Sequence, residues 1–121
     1  MKVKIDTKEK FHVITIEEPA LSANMTENIK ETLLSFLNKS VKNVILNLEL
    51  VQEIDESVAN TLVSTQQTFY DLNNSMVICN LQPKIETYLD EKELLELMNV
   101  TPTESEAWDI VQMEEIEREF N

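Results

Sequence analysis

The apolar positions of the chain follow two rhythms. Val3 to Ile5 alternates apolar and polar residues, and Phe11-His12-Val13-Ile14-Thr15-Ile16 is rich in β-branched residues. Both read as strands, with Thr7-Lys8-Glu9-Lys10 as the hairpin connection and Glu17-Glu18-Pro19 as the stop. Ile29, Leu33, Phe36 and Leu37 then recur at helical spacing. They predict a helix that starts near Asn24, with Asn24 as its cap and Glu27 completing a box-like start. Val44-Ile45-Leu46-Asn47-Leu48 is a nearly continuous apolar run, which suits a strand buried on both faces.

Val51 to Glu56 reads as a loop. A second helix is expected from Ser57 to Leu72, with Ala59, Leu62, Val63, Phe69 and Tyr70 inward, and Ser75 to Leu81 as the next strand. Pro83 suits the first turn of a third helix, whose inner face is Ile85 and Leu89. Asp90-Glu91-Lys92 reads as a turn, Glu93 to Met98 as a further helical piece and Val100 as a strand remnant. Thr103 and Glu106 form a capping box for a last helix from Glu104 to Glu119. Its expected inner residues are Ala107, Ile110, Val111, Met113 and Phe120, with Trp108 partly buried. The order predicts an α/β fold with an N-terminal β-hairpin. Parallel strands then follow through right-handed crossovers, with about four helices.

Length and composition narrow the classes. A chain of 121 residues with 42% hydrophobic residues is read as one domain, 1–121. The formal net charge is −13 and the pI is near 4.3. Such a chain repels nucleic-acid phosphates and anionic headgroups, so no nucleic acid and no direct membrane insertion are expected. Partners are expected to be proteins with neutral or basic contact surfaces; acidity that serves solubility alone gives the same exclusion. The N-terminus lacks an apolar stretch of the secretory type, and no run reaches membrane-spanning length, so a cytoplasmic location is expected. The acidic run Glu114 to Glu119 reads as a solvated helix face.

The sequence contains no glycine, and this removes Gly-rich phosphate loops, dinucleotide fingerprints and Gly-flanked nucleophile elbows. Turns must use residues such as Asn38-Lys39-Ser40 and Asn73-Asn74-Ser75. Cys79, the single cysteine, lies in an apolar run and reads as a small buried hydrophobe. His12, the single histidine, lies in a strand, so nucleophile–base pairs and His/Cys metal sets lack members. No catalytic residue, metal or cofactor is expected, and the protein is read as no enzyme.

One segment concentrates functional interest. Ile54-Asp55-Glu56-Ser57-Val58-Ala59-Asn60 follows a buried strand and opens a helix. Sites in open α/β sheets gather at the carboxyl ends of strands. A phosphate on Ser57 would add about −1.5 to −2 charges at a helix start, where backbone N–H groups favour a negative group. Asp55 and Glu56 would repel it. The simpler alternative is that Asp55 or Ser57 is only an N-cap.

The ordered set Val44 to Leu48, Ile54 to Val58 and Met76 to Pro83, closed by Thr101-Pro102-Thr103-Glu104 before the final helix, resembles the STAS domain family. The resemblance is to the anti-sigma factor antagonists, or anti-anti-sigma factors, of bacteria. It implies a STAS-like mixed β-sheet and a regulator of transcription that acts by partner switching. An anti-sigma factor that is also a serine kinase would be bound by the unmodified protein and released on phosphorylation. Carried over by position, Asp55 matches the family aspartate and Ser57 the phosphorylated serine. Glu56 stands where a serine is usual, and Val58 where glycine is usual. The implied partner-binding positions are Asp55, Glu56, Ser57, Val58, Asn60 and Thr61. These departures leave open a second role, as an unphosphorylated STAS subunit of a larger assembly such as a lipid-transport ABC complex or a signalling scaffold.

Overall fold

The computed structural model describes residues 1–120. Five strands form the main sheet: β1 (Val3–Thr7), β2 (His12–Ile16), β4 (Val44–Asn47), β6 (Met76–Cys79) and β7 (Val100–Thr101), in the order β1-β2-β4-β6-β7. β1 and β2 are the expected antiparallel hairpin, and every other pairing is parallel. β4 and β6 are buried at every residue, which is why they read as continuous apolar runs. Two two-residue strands, β3 (Ala20–Leu21) and β5 (Glu53–Ile54), pair with each other beside the main sheet.

The helices are α1 (Thr26–Leu34), α2 (Glu56–Asp71), α3 (Pro83–Glu91) and α4 (Glu104–Glu119). Strand residues alternate between the two faces of the sheet. Ile14, Leu46 and Ile78 point to one face, where Ile29 and Leu33 of α1, Leu62 and Phe69 of α2, and Leu89 of α3 cover them. Val13, Ile45, Val77 and Cys79 point to the other, against Ala107 and Val111 of α4. The fold is thus a mixed, mostly parallel sheet with three helices on one side and one on the other.

Several expectations are corrected. Asn24 does not cap a helix; it lies within a 3-10 turn, Ala23–Met25, that leads into α1. α3 continues through Asp90 and Glu91, and only a 3-10 turn, Leu95–Leu97, follows it. Tyr70 is exposed, because the inward row of α2 ends at Phe69. Met113 and Phe120 are also exposed, at 54% and 83%. Their positions lie opposite Ala107 and Val111 on a helix turning about 100° per residue. Glu114 and Glu115 are half-buried and not wholly solvated. Asn99 Nδ2 donates to Glu114 Oε2 at 3.2 Å and Asn43 Nδ2 to Glu115 Oε1 at 2.8 Å, so two acids of the run clasp α4 to the loops before β7 and β4. The capping box at Thr103 is present, with Glu106 N–H donating to Thr103 Oγ1 at 3.2 Å.

Without glycine, the left-handed backbone positions fall mainly to asparagine. Asn73, Asn80 and Asn99 have φ near 60° (61°, 59° and 58°). Asparagine tolerates this region better than other side chains do. The fourth such residue is Glu93, at 59°.

A candidate docking site at the head of α2

The site is built where β4 gives way to a loop. β5 pairs with β3, so the chain reaches α2 directly beside the start of α1. Asp55 then performs two tasks. Its backbone carbonyl accepts the Val58 and Ala59 amides at 3.0 and 3.1 Å, which makes it the N-cap of α2. Its carboxylate, however, does not cap α2. Asp55 Oδ2 accepts the Ala23 amide at 2.8 Å, at the first position of the neighbouring 3-10 turn. The Asp55 amide donates to the Leu21 carbonyl at 2.9 Å. One residue thereby ties the heads of α1 and α2 together.

The first amides of α2, at Glu56 and Ser57, have no acceptor inside the helix. They lie at its positive end. Ser57 is exposed, and its carbonyl accepts the Thr61 hydroxyl at 3.0 Å. Asn60 and Thr61 stand three and four residues beyond Ser57 and share its face. Glu56 Oε1 lies 3.9 Å from Lys92 Nζ. Lys92 Nζ is also 5.8 Å from the centre of the Tyr88 ring. Beside these, Gln52, Ile54, Lys84, Ile85 and Tyr88 line a shallow groove of about 210 Å³.

The structure brings five of the six expected positions, Asp55, Glu56, Ser57, Asn60 and Thr61, onto one surface. Val58 departs from them: its side chain is fully buried in the core beneath the sheet's α1–α3 face, so it offers no docking surface. Lys92, and the groove beside it, were not anticipated. Lys92 comes from the end of α3, and no sequence spacing links it to Glu56.

The remaining candidate groups are structural. His12 is buried, with Nδ1 2.9 Å from Thr7 Oγ1 and Nε2 2.7 Å from the Val41 carbonyl, so both ring nitrogens are engaged. A carbonyl oxygen only accepts, so Nε2 is the donor in the second of these bonds. Burial, helped by Glu104 and Glu49, pushes the Cys79 thiol up to about 12, which keeps it protonated and unreactive. Among the described residues, no group of three or more His, Cys, Asp or Glu could hold a metal ion. Among the described residues, too, no helix is long and apolar enough to cross a membrane.

Comparison with known proteins bears on the fold that carries this surface. The model of the STAS domain family matches residues 2–107. A search of the curated proteins found no match. Among solved structures, a candidate anti-sigma factor antagonist from Thermotoga maritima is similar at a TM-score of 0.75 and 20% identity, over 91% of this chain and 94% of that one. The phosphorylated form of the Bacillus cell-fate determinant SpoIIAA is similar at 0.63 and 19%, over 91% of this chain and 99% of that one. A murine anion transporter, Solute Carrier 26 family member A9, is similar at 0.67 and 16%, over 86% of this chain but 18% of that one.

Proposed function

We propose that this chain, which belongs to the STAS domain family, acts as an anti-sigma factor antagonist through the surface at the head of α2. Its partner is an anti-sigma factor with serine-kinase activity. Asp55, Glu56, Ser57, Asn60 and Thr61 form the contact, and a phosphate on Ser57 ends it. The observation that carries this reading is the exposure of Ser57 on the first turn of α2, on the helix start that the family resemblance marks for modification.

The physical logic is local. The first-turn amides and the helix dipole can accommodate a phosphate without reshaping the fold. For a partner packed on this surface, the added −1.5 to −2 charges, beside Asp55 and Glu56, bring desolvation and repulsion of about 1–3 kcal/mol or more. SpoIIAA, similar in fold, is known in a phosphorylated form, which supports the same chemistry here.

A second reading has its own support. Val58 is core and Glu56 lies close to Lys92, so the two departures from the usual motif are built into this structure. The murine transporter carries a similar fold as a small part of a long chain. On this reading the protein is an unphosphorylated subunit of a larger assembly, such as a lipid-transport ABC complex or a signalling scaffold.

Incubation with the cognate anti-sigma kinase and ATP, followed by mass spectrometry, separates the two. Addition of one phosphate at Ser57 is expected. A Ser57 that stays unmodified, with the protein purifying in a membrane or ATPase complex, supports the second reading.

A further inference from the structure

The last helix has an outer face that the fold does not use. Ala107 and Val111 turn α4 toward the sheet, while Glu114, Glu115 and Arg118 clasp its inner side to Asn99, Asn43 and Ser75. Met113, Ile116 and Phe120 are 54%, 55% and 83% exposed. At spacings of three and four they form one stripe on the side away from the sheet. Single exposed apolar residues need no explanation, but an aligned row on one helix marks an interaction surface. The family match ends at residue 107, so the stripe lies beyond the part of the chain that the family model describes.

Charge selects the occupant. Exposed Glu106, Asp109, Glu117 and Glu119 surround the stripe, and the chain as a whole carries −13. Two copies packed through this face would set these acids against one another, which disfavours self-association. An anionic lipid surface is disfavoured for the same reason. A helix from another protein, apolar along one side and flanked by Lys and Arg, meets both features at once: its apolar side covers the stripe and its cations pair with the rim. We propose that the outer face of α4 docks such a basic amphipathic helix. α4 lies on the opposite side of the sheet from α2, so this contact and the Ser57 surface can be occupied together. The protein would then be held by one partner while it exchanges another.

The test uses a synthetic helical peptide of about 18 residues with leucines at i, i+3, i+4 and i+7 spacing and Lys/Arg flanks. A second peptide with Glu flanks serves as its counterpart. Binding is followed by calorimetry and by backbone amide shifts. The basic peptide is expected to bind and to shift amides between Asp109 and Phe120; the acidic peptide is expected not to bind. Met113→Glu and Ile116→Glu, at exposed positions with good helix propensity, are each expected to weaken binding at least tenfold. Mere attraction to an acidic protein predicts the reverse, since each variant adds a negative charge. Ser57→Glu is expected to leave this binding unchanged, which separates the inference from the Ser57 reading. Unchanged or tighter binding by the two α4 variants, shifts confined to other surfaces, absence of binding, or a dimer in sedimentation that Ile116→Glu dissolves would each overturn it.

Discussion

The carboxylate of Asp55 accepts the backbone amide of Ala23 at 2.8 Å, so the residue that begins α2 satisfies the start of another helix. A charge-assisted bond of this kind is stronger than a neutral one, though exposure reduces its net effect. Asp55→Ala is therefore expected to lower stability by about 1 kcal/mol. It should also speed hydrogen exchange at Ala23 more than within α2. Urea unfolding and amide exchange read the two effects. If exchange at Ala23 does not change, the tie between the two helix heads carries no energy.

Ser57 is exposed on the first turn of α2, so its substitution is expected to move stability by no more than about 0.5 kcal/mol. A glutamate there interacts favourably with the helix start. Binding behaves differently. If the proposed anti-sigma kinase is the partner, Ser57→Glu is expected to weaken association with it on the order of tenfold or more, about 1.4 kcal/mol. Ser57→Ala should bind like the unmodified protein and resist release by ATP. Calorimetry with the purified kinase reads both. Equal affinities for the wild type and Ser57→Glu would remove the switch.

Val58 occupies a place where the family usually carries glycine, yet here it is fully buried. Val58→Gly removes packed methyl groups and adds a flexible residue to the first turn of α2. The expected loss is about 3 kcal/mol. Denaturant midpoints check this value, and a loss below about 1 kcal/mol would show that the core collapses around the site.

The burial of Val58 could be read from the sequence, because Val58, Leu62, Thr65 and Phe69 keep one helical row and all four are buried. The row expected from spacing, Ala59, Leu62, Val63, Phe69 and Tyr70, begins one residue later and omits Val58. β4, β6 and the bounds of α4 were legible because their periodicity or capping residues are strong. β3 and β5 were not, since two residues carry no period. Met113 and Phe120 were assigned inward from residue type, but apolar character favours burial without requiring it. The Asp55–Ala23 bond joins residues 32 positions apart, and only the fold brings them together.

Among the described residues, Glu93 is the one left-handed residue that is not asparagine. It closes α3: its amide donates to the Asp90 carbonyl at 3.0 Å, and the Leu94 amide to the Leu89 carbonyl at 2.9 Å. This helix ending favours glycine, because a Cβ in the left-handed region costs about 1–2 kcal/mol. Glycine loses some of that gain to the entropy of the unfolded chain. Glu93→Gly is thus expected to stabilise the protein by about 0.5–1 kcal/mol, while Glu93→Ala, which keeps the Cβ, should give no such gain. Thermal unfolding compares the pair, and equal effects would place the cause outside the backbone.

Burial of Cys79 makes stability depend on alkaline pH. The thiol is pushed up to about 12 in the folded protein, whereas an unfolded chain loses this proton near 8.5–9. The folded state therefore binds the proton more tightly. Its contribution is fully present below about pH 8.5, falls as pH rises through the window between the two values, and is gone above the folded value. The slope in that window approaches about 1.4 kcal/mol per pH unit for one proton. Cys79→Ala removes this term and leaves a constant cost from the small cavity. The wild type's stability relative to the variant should accordingly fall throughout pH 9 to 11, and drop below it once the loss exceeds the cavity cost, measured by urea unfolding at each pH. Every other titratable group is common to both proteins, so the comparison isolates the thiol. A difference that stays constant with pH would show that the thiolate is tolerated where the fold now holds a buried, protonated sulfur.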